Sequence, residues 1–259
     1  MMTLYAYLAP LPLLLLLGLL AWGLATLRRN VGLVDIVWSL FFVVVAGWHF
    51  IVAPTASMRA TLLLALVLLW ALRLSAYLAA RNWNAPEDHR YRAIRARNEP
   101  NFVMKSLYLV FGFQAVLAFV ISTPLAAALR ATEVPLGILG ILGTVLAVAG
   151  LFFEAVADAQ LAAFRRDPAS RQAVMDRGLW AYTRHPNYFG ECCVWWGYYL
   201  VAVDAGAAWT VFSPLLMTLL LLRYSGVALL EQDIGQRRPG YAAYAARTNA
   251  FIPGPRRIK

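Results

Sequence analysis

The sequence predicts an all-α membrane protein whose helices form one polytopic bundle. Of its 259 residues, 61% are hydrophobic and only 14% are charged. Apolar runs of about 20 residues recur along the chain, which is the length that an α-helix needs to cross the hydrocarbon core of a bilayer. A water-soluble domain of this size would carry more charge. We therefore expect a single integral membrane domain over residues 1–259.

A hydropathy window of about 20 residues predicts seven transmembrane helices. The predicted spans are residues 8–27, 33–52, 61–80, 102–123, 134–157, 188–204 and 208–230. Pro54, Pro100 and Pro186 lie in or beside the connections, where a missing backbone N–H costs least. The first apolar run has neither a basic region before it nor a small-residue cleavage site after it. We interpret that run as the first span rather than as a removed signal peptide.

The basic residues predict the orientation of the bundle. Most of the 23 Lys and Arg residues fall in the turn after the first span, in the loops at 81–105 and 165–184, and in the tail. On the other side of the membrane, the predicted loops after the second and fourth spans contain only Arg59 and Arg130 as basic residues. Because cytoplasmic loops are enriched in Lys and Arg, we expect the N-terminus outside and the C-terminus in the cytoplasm. The net charge of +10 has two interpretations: topology with attraction to anionic lipid headgroups, or these together with an anionic ligand that enters from the cytoplasm. We expect no nucleic-acid partner.

Ionisable side chains inside the predicted spans indicate a polar cavity, because charges in a bilayer usually face a cavity or a partner. All of them fall in the half expected to face the cytoplasm: Asp35, Arg73, Glu154, Asp158, Glu191, Arg223 and Glu231. We expect one cavity, closed toward the outside and open to the cytoplasm. The alternative is that single charges reach the headgroups or form structural pairs. A transporter would more often carry inverted repeats and broken helices, so the pattern favours an enzyme.

The densest polar motif is RHPNYFGE at residues 184–191, directly before the apolar run CCVWWGYYLVAV. It combines a cation, a histidine, a helix-starting proline, an amide and an acid. Cys192 and Cys193 follow it as neighbours in an apolar helix, which suits neither a disulfide framework nor a metal site. We interpret both cysteines as packing residues and expect no metal.

RHPNYFGE is similar to a motif of several membrane enzymes that bind large anionic cofactors from the cytoplasm. Together with VDIVWSL, RNWNAPEDHRYRAIR and GVALLEQDIGQRRPGYAAYAARTNAFIPG, it makes about residues 25–255 resemble the bacterial steroid 5α-reductase-like family. That family is related to the sterol C14 and C7 reductases. The resemblance implies an enzyme of a bacterial inner membrane, with its cofactor site facing the cytoplasm. It also implies NADPH-dependent reduction of the C4–C5 double bond of a 3-oxo-4-ene steroid or a similar lipid enone.

The resemblance places the cofactor at the end of the fifth span and the start of the sixth. Asp158 and Arg165 match a polar pair, and Asn187 and Glu191 match an Asn and a Glu that hold NADPH. Arg223 matches an arginine of the last span. The sequence departs from the animal steroid enzymes at two positions, where an Asn and a Tyr are expected and this chain has Glu154 and Glu231.

The phosphates of NADPH require cations, because the chain has no G-x-G-x-x-G phosphate loop. The arginines that the two basic loops supply for them are Arg90, Arg95, Arg165, Arg177 and Arg184. The remaining residues expected around the cofactor are Arg73, Tyr182, His185 and Tyr188. Each has an alternative interpretation: the arginines as topology signals, His185 as a structural hydrogen bond at a helix start, and the tyrosines as an interfacial belt.

Hydride addition to an enone places negative charge on the carbonyl oxygen, so the site needs a hydrogen-bond donor there. A Glu and a Tyr have this role in the animal enzymes. The nearest counterparts are Asp35, with Trp38 on the same helix face, and either Trp70 or Tyr77. Asp35 would serve if a pocket without water keeps it protonated. The alternative is a structural pair between Asp35 and Arg73.

Two other functions fit the same residues. A membrane methyltransferase of the isoprenylcysteine type resembles the RHPNYFG segment, but S-adenosylmethionine has no phosphates and would leave the arginines unexplained. A membrane protein that binds a lipid without chemistry is the second. For the reductase, we expect the substrate side mainly in residues 1–124 and the NADPH side mainly in residues 125–259. We expect a monomer whose lipid or steroid substrate enters from the bilayer.

Overall fold

The structure, a computed structural model, describes residues 4–53, 57–131, 135–170, 172–224 and 238–257. Within these ranges all regular structure is helical, and strand-like pairing is limited to an isolated bridge between Thr183 and Asn249. The prediction of an all-α fold is confirmed.

Five helical segments are long and apolar enough to cross a bilayer. They are Leu4–Leu27, Val31–Ile51, Met58–Asn82, Phe102–Ile121 and Ile138–Arg166. They coincide with the first five predicted spans and fit the predicted integral membrane protein.

The predicted count of seven spans stays a prediction. Helix Pro186–Asp204 covers the sixth predicted span, but Asn187 and Glu191 make its first turns too polar for a typical span. A shorter apolar helix, Ala208–Tyr224, covers the described part of the seventh.

The chain divides into two compact units. Unit 1 comprises Met1–Gly140 and Val201–Thr210, and unit 2 comprises Ile141–Leu200 and Val211–Lys259. The helices that begin in unit 1 before residue 138 are α1 (Leu4–Leu8), α2 (Leu11–Leu27), α3 (Val34–Ile51), α4 (Met58–Asn82), α5 (His89–Asn98), α6 (Phe102–Ser106), α7 (Phe113–Ile121) and α8 (Thr123–Arg130). Those that lie mainly in unit 2 are α9 (Ile138–Arg166), α10 (Pro186–Asp204), α11 (Phe212–Leu219) and α12 (Tyr241–Arg247).

Unit 1 is built on the antiparallel helices α3 and α4, which contact each other along much of their length. Helices α2, α7 and α8 pack against α3. Phe41, Phe42, Leu63 and Trp70 are fully buried between these helices. The Ser39 hydroxyl donates to the Ala71 carbonyl at 2.8 Å and ties α3 to α4. Because lipid tails are as apolar as these side chains, close packing and such interhelical hydrogen bonds stabilise the bundle inside a membrane.

A buried ion pair fixes one end of unit 1. Arg59 lies on the first turn of α4, is only 1% exposed, and donates to the Asp204 carboxylate at 2.7 Å. It also donates to the carbonyls of Ala131 at 3.1 Å and Pro135 at 2.6 Å. The Gly137 N–H donates to Asp204 at 2.9 Å. Our expectation that Arg59 is a loop cation was therefore wrong, because its charge has a buried acidic partner.

Glycines bring α9 and α10 into backbone contact in unit 2. A Cβ atom on Gly150 would lie 2.6 Å from the Gly190 carbonyl oxygen, and one on Gly190 would lie 2.6 Å from the Glu154 nitrogen. A Cβ atom on Gly197 would lie 2.6 Å from the Gly143 carbonyl oxygen. Such small residues at a helix seam let two backbones approach closely in a membrane protein. The start of α10 therefore packs on the part of α9 that carries its acids.

Candidate functional site

Buried acids mark the seam between α9 and α10. Glu154 is 2% exposed, Asp158 is 3% exposed and Glu191 is 7% exposed. The Asn187 amide donates to an Asp158 carboxylate oxygen at 3.3 Å. Burying several carboxyl groups in an apolar bundle is costly unless partners hold them. The expected grouping of Asp158 with Asn187 is thus present, and it lies beside two further buried acids.

A short loop before α10 is docked on α9. The Leu179 N–H donates to the Gln160 side-chain oxygen at 3.0 Å, and the Trp180 indole N–H donates to the Ala157 carbonyl at 3.1 Å. Gly178 has φ +58°, and a Cβ atom there would lie 2.5 Å from the Gln160 amide. A glycine is needed at this left-handed turn. These contacts fix the chain just before the RHPNYFGE motif.

His185 lies at the start of α10. It is buried, its backbone N–H donates to the Thr183 hydroxyl at 3.3 Å, and its carbonyl accepts from the Phe189 N–H at 3.0 Å. Its ring stacks on Tyr188, with centroids 5.8 Å apart and planes 9° apart. Pro186 occupies the first helical position, where no N–H partner is needed. His185 therefore lies at the helix start, a position that fits both its expected place beside the cofactor and the alternative of a structural hydrogen bond.

Arg184 is held by the C-terminal segment. Its guanidinium donates to the carbonyls of Ala245 at 2.9 Å and Thr248 at 3.0 Å, at the end of α12. Its backbone N–H donates to the Asn249 carbonyl at 2.9 Å. A cation at the last carbonyls of a helix satisfies them and stabilises the helix dipole. Arg184 therefore anchors the motif to α12, and this use competes with the phosphate contact that we expected.

The other expected cofactor residues of unit 2 lie at its surface. Arg165 is in the last turn of α9, and Arg165, Arg177 and Arg223 are exposed. Tyr182 is also exposed. Glu231 lies outside the described residues. Because these arginines are exposed, an anionic ligand can reach them from the solvent.

Asp35 forms the centre of a second polar cluster, in unit 1. Its carboxylate accepts from the Arg90 guanidinium at 2.9 Å, as an ion pair, and from the Tyr91 hydroxyl. The Gln114 amide donates to the Tyr91 oxygen at 3.4 Å. Asp35 thus pairs with Arg90, and the alternative pair with Arg73 was wrong. The reason is helix α5, which brings both Arg90 and Tyr91 to the start of α3.

Tyr91 is buried, at 6% exposure. Burial raises the pKa of its hydroxyl well above the usual value, and the negative charge of Asp35 raises it further. The hydroxyl therefore stays protonated at neutral pH and acts as a donor. Burial alone would lower the pKa of Arg90, but Asp35, Tyr91 and Asp88 outweigh it and raise that pKa. Arg90 therefore keeps its positive charge beside Asp35.

The other predicted catalytic side chains have aromatic neighbours. Trp38 packs edge-on against Phe42, with centroids 5.2 Å apart, and Phe42 contacts Trp70 in the same manner at 5.7 Å. Tyr77 lies under the Arg81 guanidinium at 5.7 Å. None of these contacts involves the Asp35 carboxylate. Sequence reasoning missed Tyr91, although it is the one aromatic residue in the basic stretch HRYRAIR.

Arg95 is balanced by an acid of the same loop. Its guanidinium donates to both oxygens of Glu87, at 3.0 and 2.8 Å, and lies 4.6 Å from the Phe102 ring centroid. The Val31 N–H also donates to Glu87 at 2.9 Å. Burial raises the pKa of Glu87, but these hydrogen bonds outweigh it, and that pKa is lowered overall. Arg90 and Arg95 are therefore both neutralised within unit 1, which weakens their predicted role at the cofactor phosphates.

Thiol groups occupy apolar positions in α10. Cys192 and Cys193 are free, and the Cys192 sulfur lies 3.3 Å from the Thr218 hydroxyl. Among the described residues, no group of three or more His, Cys, Asp or Glu side chains is arranged to hold a metal ion.

Comparison with known proteins places the chain in a family. A family model described as "Protein of unknown function (DUF1295)" matches residues 21–248. No curated protein and no solved structure matches the chain. The family match includes both polar clusters, at Asp35 and at the seam of α9 and α10. The chain belongs to the DUF1295 family of proteins of unknown function.

Proposed function

We propose that the protein is an NADPH-dependent reductase of a conjugated lipid enone, such as a 3-oxo-4-ene steroid. The single observation that carries the proposal is the buried Tyr91 hydroxyl, which is bonded to Asp35 while Asp35 is paired with Arg90. This arrangement holds a protonated hydroxyl whose single O–H, now donated to Asp35, can rotate to a substrate oxygen while Arg90 still balances the charge of Asp35. It resembles in its chemistry the Glu and Tyr of the animal steroid reductases.

Tyr91 supports the reaction at the carbonyl end of the enone. When a hydride adds to the β-carbon, the C=C π electrons move toward the carbonyl and negative charge develops on its oxygen. A donor placed there stabilises that charge because the interaction strengthens only as the charge develops. When the enone binds, the Tyr91 hydroxyl turns from Asp35 to donate its one proton to the substrate oxygen, and Asp35 stays paired with Arg90. The α-carbon takes a proton from water as the enolate returns to a ketone. Because Asp35 is paired with the Arg90 guanidinium, we assign the donor role to Tyr91.

Residues of unit 2 fit the cofactor. NADPH supplies the hydride when it is bound. Asn187 and the buried acids Asp158 and Glu191 have the acceptors and donors that ribose hydroxyls and a carboxamide need. The exposed Arg165 and Arg177 supply cations for the phosphates. Glu154 lies in the same seam, where the animal enzymes are expected to have an Asn.

The proposal assigns the substrate to unit 1 and the cofactor to unit 2, close to our expected division into residues 1–124 and 125–259. A lipid substrate would enter from the bilayer past the apolar outer faces of the helices. We propose that the chain acts as a monomer in a bacterial inner membrane.

The proposed topology has seven spans, with the N-terminus outside and loop 81–101 in the cytoplasm. It is tested by placing a cysteine at position 92, which is exposed in the structure, in a variant with Cys192 and Cys193 changed to serine. We expect an impermeant maleimide to label this cysteine only after the membrane is opened. Labelling in intact cells would contradict the topology.

Nucleotide binding tests the class of the protein. We expect the purified protein to bind NADPH more tightly than NADH, and we expect that preference to shrink as salt rises, because exposed arginines are screened by ions. Equal affinity for the two nucleotides would remove the role of the arginines at the 2′-phosphate. Binding of S-adenosylmethionine in place of NADPH would favour the methyltransferase instead.

A further inference from the structure

A cavity of about 500 Å³ opens in unit 1 between the end of α2, the helix α6 and the helix α5. Two guanidinium side chains line it, those of Arg29 and Arg95, together with the hydroxyls of Thr26 and Ser106. The rest of its wall is apolar and includes Val103. A cavity with two cations, two hydroxyls and apolar walls suits an anionic group attached to a hydrocarbon chain.

Arg29 occupies a backbone position that usually belongs to glycine. The Asn30 N–H donates to the Ala25 carbonyl and the Arg29 N–H donates to the Thr26 carbonyl, which is the double hydrogen bond of a Schellman helix end. Arg29 has φ 53°, in the left-handed region that is strained for a residue with a Cβ atom. Among the residues that the structure describes, the Arg29 guanidinium has no hydrogen-bond or ion-pair partner. The arginine side chain is thus not needed to close the helix, and it adds a positive charge to the cavity.

The net charge of the cavity comes from Arg29. Arg95 is neutralised by Glu87, yet it keeps hydrogen-bond donors beyond the two that Glu87 accepts, because a guanidinium has five. The Ser106 hydroxyl, which donates to the Val103 carbonyl at 2.7 Å, is buried at the cavity wall. The Arg29 guanidinium and the remaining N–H donors of Arg95 match the oxygens of a phosphate, which accept hydrogen bonds from arginine in pairs.

The apolar surface next to the cavity fits acyl chains. Leu15 and Leu19 are exposed on α2, eleven and seven positions before Thr26 and therefore on its face of the helix, and Val103, which lines the cavity, is exposed on α6. The two helices meet at this face, because the Trp22 indole N–H donates to the Val103 carbonyl at 2.9 Å, and α2 also contacts the π-helical turn after α6. Basic pockets between transmembrane helices at the headgroup level are a known way to bind anionic lipids. We propose that this cavity binds the phosphate headgroup of an anionic phospholipid whose acyl chains lie along α2 and α6.

Native mass spectrometry of the full-length protein in a neutral detergent tests the proposal, with phosphatidylglycerol and phosphatidylcholine of identical acyl chains as probes. We expect tighter binding of phosphatidylglycerol and, in Arg29→Gly, a loss of about fivefold in that affinity with phosphatidylcholine unchanged. Glycine adopts the left-handed conformation at no steric cost, so this variant should fold and melt at the same or a higher temperature. Arg97→Gln is the matched control, since Arg97 is exposed on α5 and does not line the cavity.

Four results would overturn the proposal. The first is equal affinity for the two lipids, and the second is an Arg29→Gly variant that binds phosphatidylglycerol as tightly as the unchanged protein. The third is complete displacement of phosphatidylglycerol by inorganic phosphate, which would identify a site for free phosphate. Equal losses in Arg29→Gly and Arg97→Gln would show a general effect of charge and would also contradict a site at this cavity.

Discussion

Tyr91 donates a hydrogen bond to Asp35 across 56 positions of the chain, and Arg90 pairs with the same carboxylate at 2.9 Å. Helix α5 makes this possible, because its N-cap Asp88 accepts from the Arg90 N–H at 2.9 Å and fixes where the helix starts. Adjacent residues of α5 thus supply a neutral donor and a cation to one acid at the start of α3. This cluster carries the proposal of carbonyl activation.

Replacing Tyr91 by phenylalanine should lower turnover of the enone by a factor of about 10² to 10³, the range typical of losing one hydrogen-bond donor to a developing oxyanion. The affinity for NADPH should change little, because the hydroxyl acts only as charge develops on the substrate oxygen. The measurements are steady-state kinetics and nucleotide binding on the same preparation. Tyr108→Phe, which removes an exposed hydroxyl, is the control and should keep full turnover. Equal turnover in the two variants would remove Tyr91 from the reaction.

Replacing Asn187 or Glu191 by alanine should abolish measurable NADPH binding. Each change leaves a buried polar group without its partner, at about 1 to 3 kcal/mol, and removes a group that the cofactor is proposed to contact. Calorimetry with NADPH measures the effect, and thermal unfolding shows whether the variant is folded. Asn84→Ala, in an exposed loop of unit 1, should bind normally. A folded Asn187→Ala protein with unchanged affinity would make the motif structural.

Arg59→Met should destabilise the protein by about 1 to 3 kcal/mol, because it leaves the half-buried Asp204 carboxylate without its cation and the carbonyls of Ala131 and Pro135 without their donor. The Asp204→Asn change should cost less, since an amide is neutral and can still accept from the Gly137 N–H. Thermal unfolding in detergent provides the comparison. Arg97→Met, at an exposed position, is the control and should melt with the unchanged protein. An Arg59→Met protein that melts at the same temperature would show that the pair contributes no stability.

Gly190→Ala should lower the melting temperature and weaken NADPH binding together. The added methyl group would lie 2.6 Å from the Glu154 nitrogen, so α9 and α10 must move apart at the buried acids. Gly47→Ala is a matched control, because nothing lies within 4 Å of its added Cβ atom, and alanine should raise stability by up to about 1 kcal/mol in a helix. If both variants melt alike, the glycine seam is not needed for close packing.

The positions of the helices were predictable because hydropathy and length are local properties of the sequence. Each of the first five predicted spans has its helix, and the first polar turns of α10 were visible in the RHPNYFGE motif. Asp158 and Asn187 were each expected beside the cofactor, but their hydrogen bond to each other was not predicted. Hydrogen bonds and ion pairs between residues distant in sequence could not be predicted. No local pattern links Arg59 to Asp204, 145 positions away.

The individual roles of the arginines were the least predictable feature. Loop arginines look alike in a sequence, and a count of positive charge does not tell which are already neutralised. Arg90 and Arg95 have carboxylate partners in unit 1, and Arg184 is used by backbone carbonyls of α12. The partners lie on other elements, so only the folded chain reveals which cations remain for a phosphate.

The most direct measurement of the central claim is the reaction itself. Purified protein is incubated with NADPH that carries deuterium at the transferred position, and with steroid enones such as testosterone and progesterone. We expect NADPH to be consumed and the product to carry one deuterium at the β-carbon, with Tyr91→Phe nearly inactive. Tight NADPH binding without reduction of any enone would contradict the proposed substrate class. Transfer of a methyl group from S-adenosylmethionine, with no use of NADPH, would contradict the reductase altogether.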